Sequence, residues 1–362
     1  MRQQARLGCS VAALVGVWWC LVACAPAPVP PTAAATDAAR ASSAAPPTRL
    51  PERATVRVGF APISVLAPTF IAQDKGYFAA ENLDVRFEQI ASGPEGFAAA
   101  ATGHLEVTST SVAAAVLNAW STGVDTRMIA AESAYLAEGP AGAALVVREQ
   151  LADSGQVTRV ADLRGRRVAI SALGTVAEWA ADGVLRTDGL TVADVELVPV
   201  SFPDLLPALA NGAIDALLSG EPTPTAAVAN GVGEILTTDF ALGAQITVLI
   251  ANGTWLEQKP DVAMRYLIAY LHAARDLYGD GWRRDDNVAI LGKWTGLPAA
   301  TLQRALPIYR DPNGVINVDS LEAQQAFHLN RGYLRYSVPL DLRAFLDDGP
   351  RAAAVARLGQ FR

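Results

Sequence analysis

The sequence predicts an α/β protein of two similar lobes, each built on a mainly parallel sheet. Strand, loop and helix signals alternate from Thr55 onward. Parallel strands need crossover helices, so this alternation implies sheets with helices on their faces. The same order restarts near Asp162. A short motif also recurs at the matching point of each half, as Ala101-Thr102-Gly103-His104-Leu105-Glu106 and Ala210-Asn211-Gly212-Ala213-Ile214-Asp215. Glycine after a helix is common alone. Its return at the same point of each half argues for a duplicated architecture.

The elements follow in order. Thr55–Phe60 and Leu83–Gln89 alternate apolar and polar residues as strands do, with a helix predicted over Thr69–Ala80 between them. The loop Ser92-Gly93-Pro94 opens an Ala-rich helix that ends at Gly103. A strand at Leu105–Thr108, a helix from Val112 to Trp120 and a strand at Arg127–Ala131 complete the first series. The second runs through strands at Arg167–Ser171, Val195–Val200, Ala216–Ser219 and Glu234–Thr237, with helices between them. Ala144–Arg148 and Ile246–Ala251 are expected to bridge the lobes as a two-strand hinge, and the C-terminus is mostly helical. The expected boundaries are 55–143 and 252–345 for lobe 1 and 144–251 for lobe 2.

The first fifty residues are of a different kind. Arg2 and Arg6 precede an apolar run from Val11 to Val22 that ends at Leu21-Val22-Ala23-Cys24. A charged start, a short apolar run and a small residue at the cut define a secretory signal. The run is short of the roughly 20 residues of a spanning helix. Residues 24–54 are rich in Ala, Pro, Thr and Ser, and a segment without bulky apolar groups forms a tether rather than a core. Cys9 and Cys20 fall inside the predicted signal, residues 1–23, so the exported chain would keep Cys24 alone, with no disulfide and no cysteine metal site.

Leu21-Val22-Ala23-Cys24 resembles the lipobox of bacterial lipoproteins, which implies cleavage before Cys24 and a lipid on its thiol. The body resembles the nitrate/sulfonate/taurine/thiamine-precursor solute-binding family. The likeness rests on Val56-Arg57-Val58-Gly59-Phe60, on Asp74-Lys75-Gly76-Tyr77-Phe78, and on Glu81-Asn82-Leu83-Asp84-Val85. In the second half it rests on Leu163-Arg164-Gly165-Arg166-Arg167-Val168-Ala169, Gly174-Thr175 and Asn211 to Pro222. The resemblance implies a type II periplasmic-binding-protein fold with a solute held between the lobes. It also implies a monomer, tied to the membrane through a lipid anchor on its extracytoplasmic side, that hands a small-molecule solute to an ABC importer permease.

Solutes in open α/β sheets bind at the carboxyl ends of strands, beside helix N-termini. Five loops qualify, and their candidate residues are Pro62, Ile63 and Ser64; Ser92 and Gly93; Ser109, Thr110 and Ser111; Gly174 and Thr175; and Glu221. Hydroxyls and free backbone N–H groups there suit an anion or a carbonyl oxygen, although Ser and Thr before helices also serve as plain caps. Glu221 either faces the cleft, favouring a solute with donors, or pairs with an arginine on the hinge side. Phe60, Trp179 and Phe202 are candidate stacking partners.

Several classes of function are set aside. The formal charge of −7, with Lys75, Lys259 and Lys293 the only lysines and no basic run, argues against nucleic acid. His104, His272 and His328 are scattered, and no Gly-x-Ser-x-Gly elbow or phosphate loop is present. Neither an enzyme nor a metal or cofactor site is expected. The alternatives are a biosynthetic enzyme on the same fold, of thiamine-pyrimidine or menaquinone type, and an exported sensory module. The first lacks the synthases' Cys-rich motif and fits a lipobox poorly; the second lacks an effector segment in this chain.

Overall fold

A computed structural model describes residues 52–135, 142–240 and 243–362; the predicted signal, Cys24 and most of the tether lie outside the described residues. Residues 50–362 form one compact unit. It holds two five-stranded sheets. The first is made of β1 (Ala54–Phe60), β2 (Leu83–Gln89), β3 (Val107–Thr110) and β4 (Thr126–Ala134). The second is made of β5 (Ala143–Arg148), β6 (Arg167–Ile170), β7 (Glu196–Pro199), β8 (Ala216–Gly220) and β9 (Gly233–Thr237). The last strand, β10 (Gln245–Asn252), returns to the first sheet.

The sheet orders are β2-β1-β3-β10-β4 and β7-β6-β8-β5-β9. In each, one antiparallel strand sits fourth among otherwise co-directional strands. That strand is the first one laid down after the chain crosses from the other lobe. The expected hinge strands are thereby corrected. Ala144–Arg148 lies inside the second sheet and Ile246–Ala251 inside the first, so the crossings fall between β4 and β5 and between β9 and β10. The reason is burial: both segments are apolar along most of their length, as interior strands covered on both faces are. The lobe 1 boundary also moves. Ala354 and Val355, on the helix Gly349–Leu358, pack in the core of the first lobe, past the expected end at 345.

The repeated motif has a structural counterpart. Glu106 accepts from the Arg57 backbone N–H at 2.6 Å and from its guanidinium, which also reaches Gly103 O. Asp215 accepts from the Arg167 backbone N–H at 3.0 Å and from its guanidinium, which also reaches Gly212 O. Gly103 and Gly212 have φ of 75° and 76°, the left-handed turn that lets the helix end and the strand begin. One arginine–carboxylate lock thus ties β1 to the start of β3 in the first lobe and β6 to the start of β8 in the second. Burial works against the Asp215 charge, but Arg167 and Arg148 outweigh it and hold its carboxyl below the usual range.

The helix Pro260–Asp276 covers one face of the first sheet, with Tyr266, Leu267, Tyr270 and Leu271 against Val56, Val58, Phe70 and Ile71. Fully burying a side chain of this size contributes about 1.5–3 kcal/mol. This packing fixes the C-terminal third on lobe 1. From there it reaches the gap between the lobes.

Candidate functional site

The loops behind β1, β3, β6 and β8 meet between the lobes. The Ala114 N–H donates to Gly174 O at 2.9 Å, joining the loop after β3 to the loop after β6. A Cβ on Gly174 would lie 3.5 Å from that of Ala114. Ser64, behind β1, and Glu221, behind β8, line one small cavity. The loop at Gly93 sits against β3 so closely that a Cβ there would come within 2.7 Å of the Thr110 hydroxyl.

The candidate residues do different things. Ser92 and Thr175 cap helices, accepting from Glu95 N at 3.3 Å and Ala177 N at 3.3 Å. Pro62 and Ile63 are exposed at the loop crest, and Ser111 is half-buried. The Thr110 hydroxyl donates to Ser111 O at 3.3 Å, while Ser109 donates to the carboxylate of Glu132. None of the three candidate aromatics lines the cavity. Phe60 packs edge-on against Phe70 and Trp294, Trp179 packs on the second lobe's core, and Phe202 is 54% exposed.

Glu221 sits on the wall of that interlobe cavity, and no arginine pairs with it among the described residues. It is 7% exposed, and its Oε1 accepts from the Thr225 hydroxyl and the Leu306 N–H, both at 3.0 Å, rather than from an arginine. Burial raises its pKa, and those hydrogen bonds lower it by less. The Leu306 bond arises because the segment after the helix Ala299–Arg304 crosses from lobe 1 and sets Leu306 against the second lobe's core.

The cavity encloses about 30 Å³ between Ser64, Ala67, Glu221, Trp282, Leu291, Leu302, Leu306 and Arg310, among others. Four of these residues hold a buried polar atom with no hydrogen-bond partner among the described residues: Ser64 Oγ, Glu221 Oε2, Trp282 Nε1 and Arg310 Nε. Native interiors leave few such atoms unpaired. All four belong to residues that line this one cavity. The remaining Arg310 nitrogens donate to Ser64 O at 2.7 Å and Ile308 O at 2.9 Å.

Behind Arg310 lies Glu132 on β4, 0% exposed. Burial pushes its carboxyl up to about 8, against smaller opposing pulls from Arg310 and the Thr247 hydroxyl. On another side of the interlobe gap, Glu178 of lobe 2 is 0% exposed. It accepts from Gly174 N at 2.8 Å, Arg331 Nε at 2.9 Å and the Tyr333 hydroxyl at 3.0 Å. Tyr333 O accepts from Asn118 Nδ2 of lobe 1 at 3.0 Å, so Glu178 clasps the lobes. His328 is buried nearby, and burial lowers its pKa to about 4.

Sequence reasoning did not single out Glu132, Glu178, Trp282, Arg310, Arg331 or Tyr333. Two left signals. Thr175-Val176-Ala177-Glu178 has the spacing of a capping box, and Glu132 interrupts an apolar run. The others reach the site only through tertiary folding.

The sequence pattern of the NMT1-like family matches residues 49–292, more than half of the chain. A nitrate import ATP-binding protein of Synechococcus elongatus is 27% identical over 299 residues, 77% of this chain and 44% of that protein. The chain therefore spans less than half the length of this curated relative. An alkanesulfonate-binding protein from Xanthomonas axonopodis pv. citri, solved with MOPS bound, superposes with a TM-score of 0.62 at 20% identity, covering 84% of this chain and 98% of that one. A periplasmic nitrate-binding protein from Synechocystis PCC 6803 gives 0.65 at 18% identity, covering 85% and 90%. A desulfurization enzyme shares the fold as well, with a TM-score of 0.62 at 20% identity and coverage of 84% and 100%.

Proposed function

The chain belongs to the NMT1-like family, and from that premise we propose that it is the extracytoplasmic solute-binding component of an ABC importer. A small solute is captured between the lobes, at the cavity lined by Ser64, Glu221, Trp282 and Arg310. The observation that carries this reading is that four residues from both lobes, each with an unpartnered buried polar atom, line one interlobe cavity. An enzymatic role remains the second reading, favoured by the desulfurization enzyme on the same fold. Product formation from any bound solute would decide for it.

The two binding-protein neighbours bind an alkanesulfonate and nitrate, and that likeness supports an importer permease as the partner. The body acts as a monomer held to the membrane by a lipid on Cys24, with the following residues as tether. Cys24→Ser is expected to release the protein from the membrane fraction or leave it unprocessed; normal processing with retention would contradict the anchor. Solute binding is tested by thermal melting of the full chain against a broad panel of metabolites. A true solute at a hundred times its dissociation constant stabilises by about 2.7 kcal/mol. A panel without a single stabilising compound would count against the reading.

A further inference from the structure

Trp282 Nε1 and Arg310 Nε can only donate hydrogen bonds, an ionised Glu221 Oε2 can only accept, and Ser64 Oγ can do either. An occupant that satisfies them accepts on one side and donates on the other. Charge narrows the choice. Arg310 and Glu221 bring one charge of each sign to the cavity wall. An oxyanion would face the Glu221 carboxylate, and an ammonium would face Arg310 and the Trp282 N–H. Size narrows it further, since about 30 Å³ holds roughly two water molecules. The remaining walls, among them Ala67, Leu291, Leu302 and Leu306, are apolar and offer nothing to a third polar group.

The geometry points to a neutral donor–acceptor head group of the primary carboxamide or urea type, its oxygen toward Trp282 and Arg310 and its NH₂ toward Glu221. The assignment rests on the solute-binding reading of the cleft. It makes Trp282 a residue that sets specificity, contributed by the C-terminal segment rather than by a strand-end loop. Arg283 stacks on the Trp282 ring at 4.5 Å and steadies it.

The test compares matched head groups on the full chain: acetamide with acetate, propionamide with propionate, nicotinamide with nicotinate, and methanesulfonate and nitrate beside them. Calorimetry or ligand-observed resonance should show each amide binding at least tenfold tighter than its acid. Trp282→Phe keeps the ring and removes one donor. Amide affinity should then fall about threefold to tenfold, while melting without solute stays level or rises because an unpaired buried donor is gone. A preference for the acids, no amide binding, or an unchanged amide affinity in Trp282→Phe overturns the assignment, the last meaning that water alone fills the cavity. Methanesulfonate or nitrate binding that Trp282→Phe leaves untouched would sink the head-group assignment and keep solute binding. A metabolite panel with no hit at all would sink both.

Discussion

Glu178→Ala is expected to lower stability by about 2–4 kcal/mol and to part the lobes. A fully buried carboxylate cannot be removed cheaply when three donors converge on it. Here they are the Gly174 N–H, the Arg331 guanidinium and the Tyr333 hydroxyl. The figure stays below that of a wholly buried pair because the Arg331 side chain is 37% exposed and can turn to water. Glu178→Gln keeps an acceptor and should cost clearly less. Urea denaturation gives the first quantity, and the scattering radius without solute gives the second. A loss under about 0.5 kcal/mol with an unchanged radius would show that the clasp holds nothing.

Glu132→Gln is expected to do the opposite, and only at alkaline pH. The carboxyl titrates near 8 in the fold, against 4.5 as its ordinary value. Between those limits the native state holds a proton that the unfolded chain has released, so stability falls as pH rises. Above about pH 8 the full cost of a buried charge is present, on the order of 5 kcal/mol. Glutamine keeps the shape and cannot ionise. The variant should therefore match the parent near pH 5 and exceed it by several kcal/mol at pH 8.5. His328 carries the reverse sign: its pKa lies near 4 in the fold against 6.5, so its contribution is whole above 6.5 and fades as pH falls through 4. Denaturation curves at pH 5 and 8.5 separate the two. An equal difference between Glu132→Gln and the parent at both values would refute the buried-acid account.

The succession of strands along each lobe was legible because local alternation marks each strand and because Gly103-to-Glu106 repeats as Gly212-to-Asp215. The arginines that those carboxylates lock, Arg57 on β1 and Arg167 on β6, each sit one residue before a buried valine. What misled was the meaning of a long apolar run. Such a run reports that a strand is buried on both faces, not which sheet it joins, and so β5 and β10 read as bridges. The site was half legible. Ser64 and Glu221 follow from strand ends, whereas Arg310 meets Ser64 across 246 residues and Trp282 arrives on a turn with no local mark. No spacing rule reaches that far. Ser92 and Thr175 show the other side, since a hydroxyl before a helix is spent on the cap.

The most direct test of the central claim is a calorimetric titration of the tightest solute from the panel into the parent chain and into Glu221→Gln. If the solute lies between the lobes and meets Glu221 Oε2, losing that charged acceptor should weaken binding roughly tenfold to a hundredfold with little change in unliganded stability. Equal affinity in the two proteins would place the solute elsewhere and contradict the account.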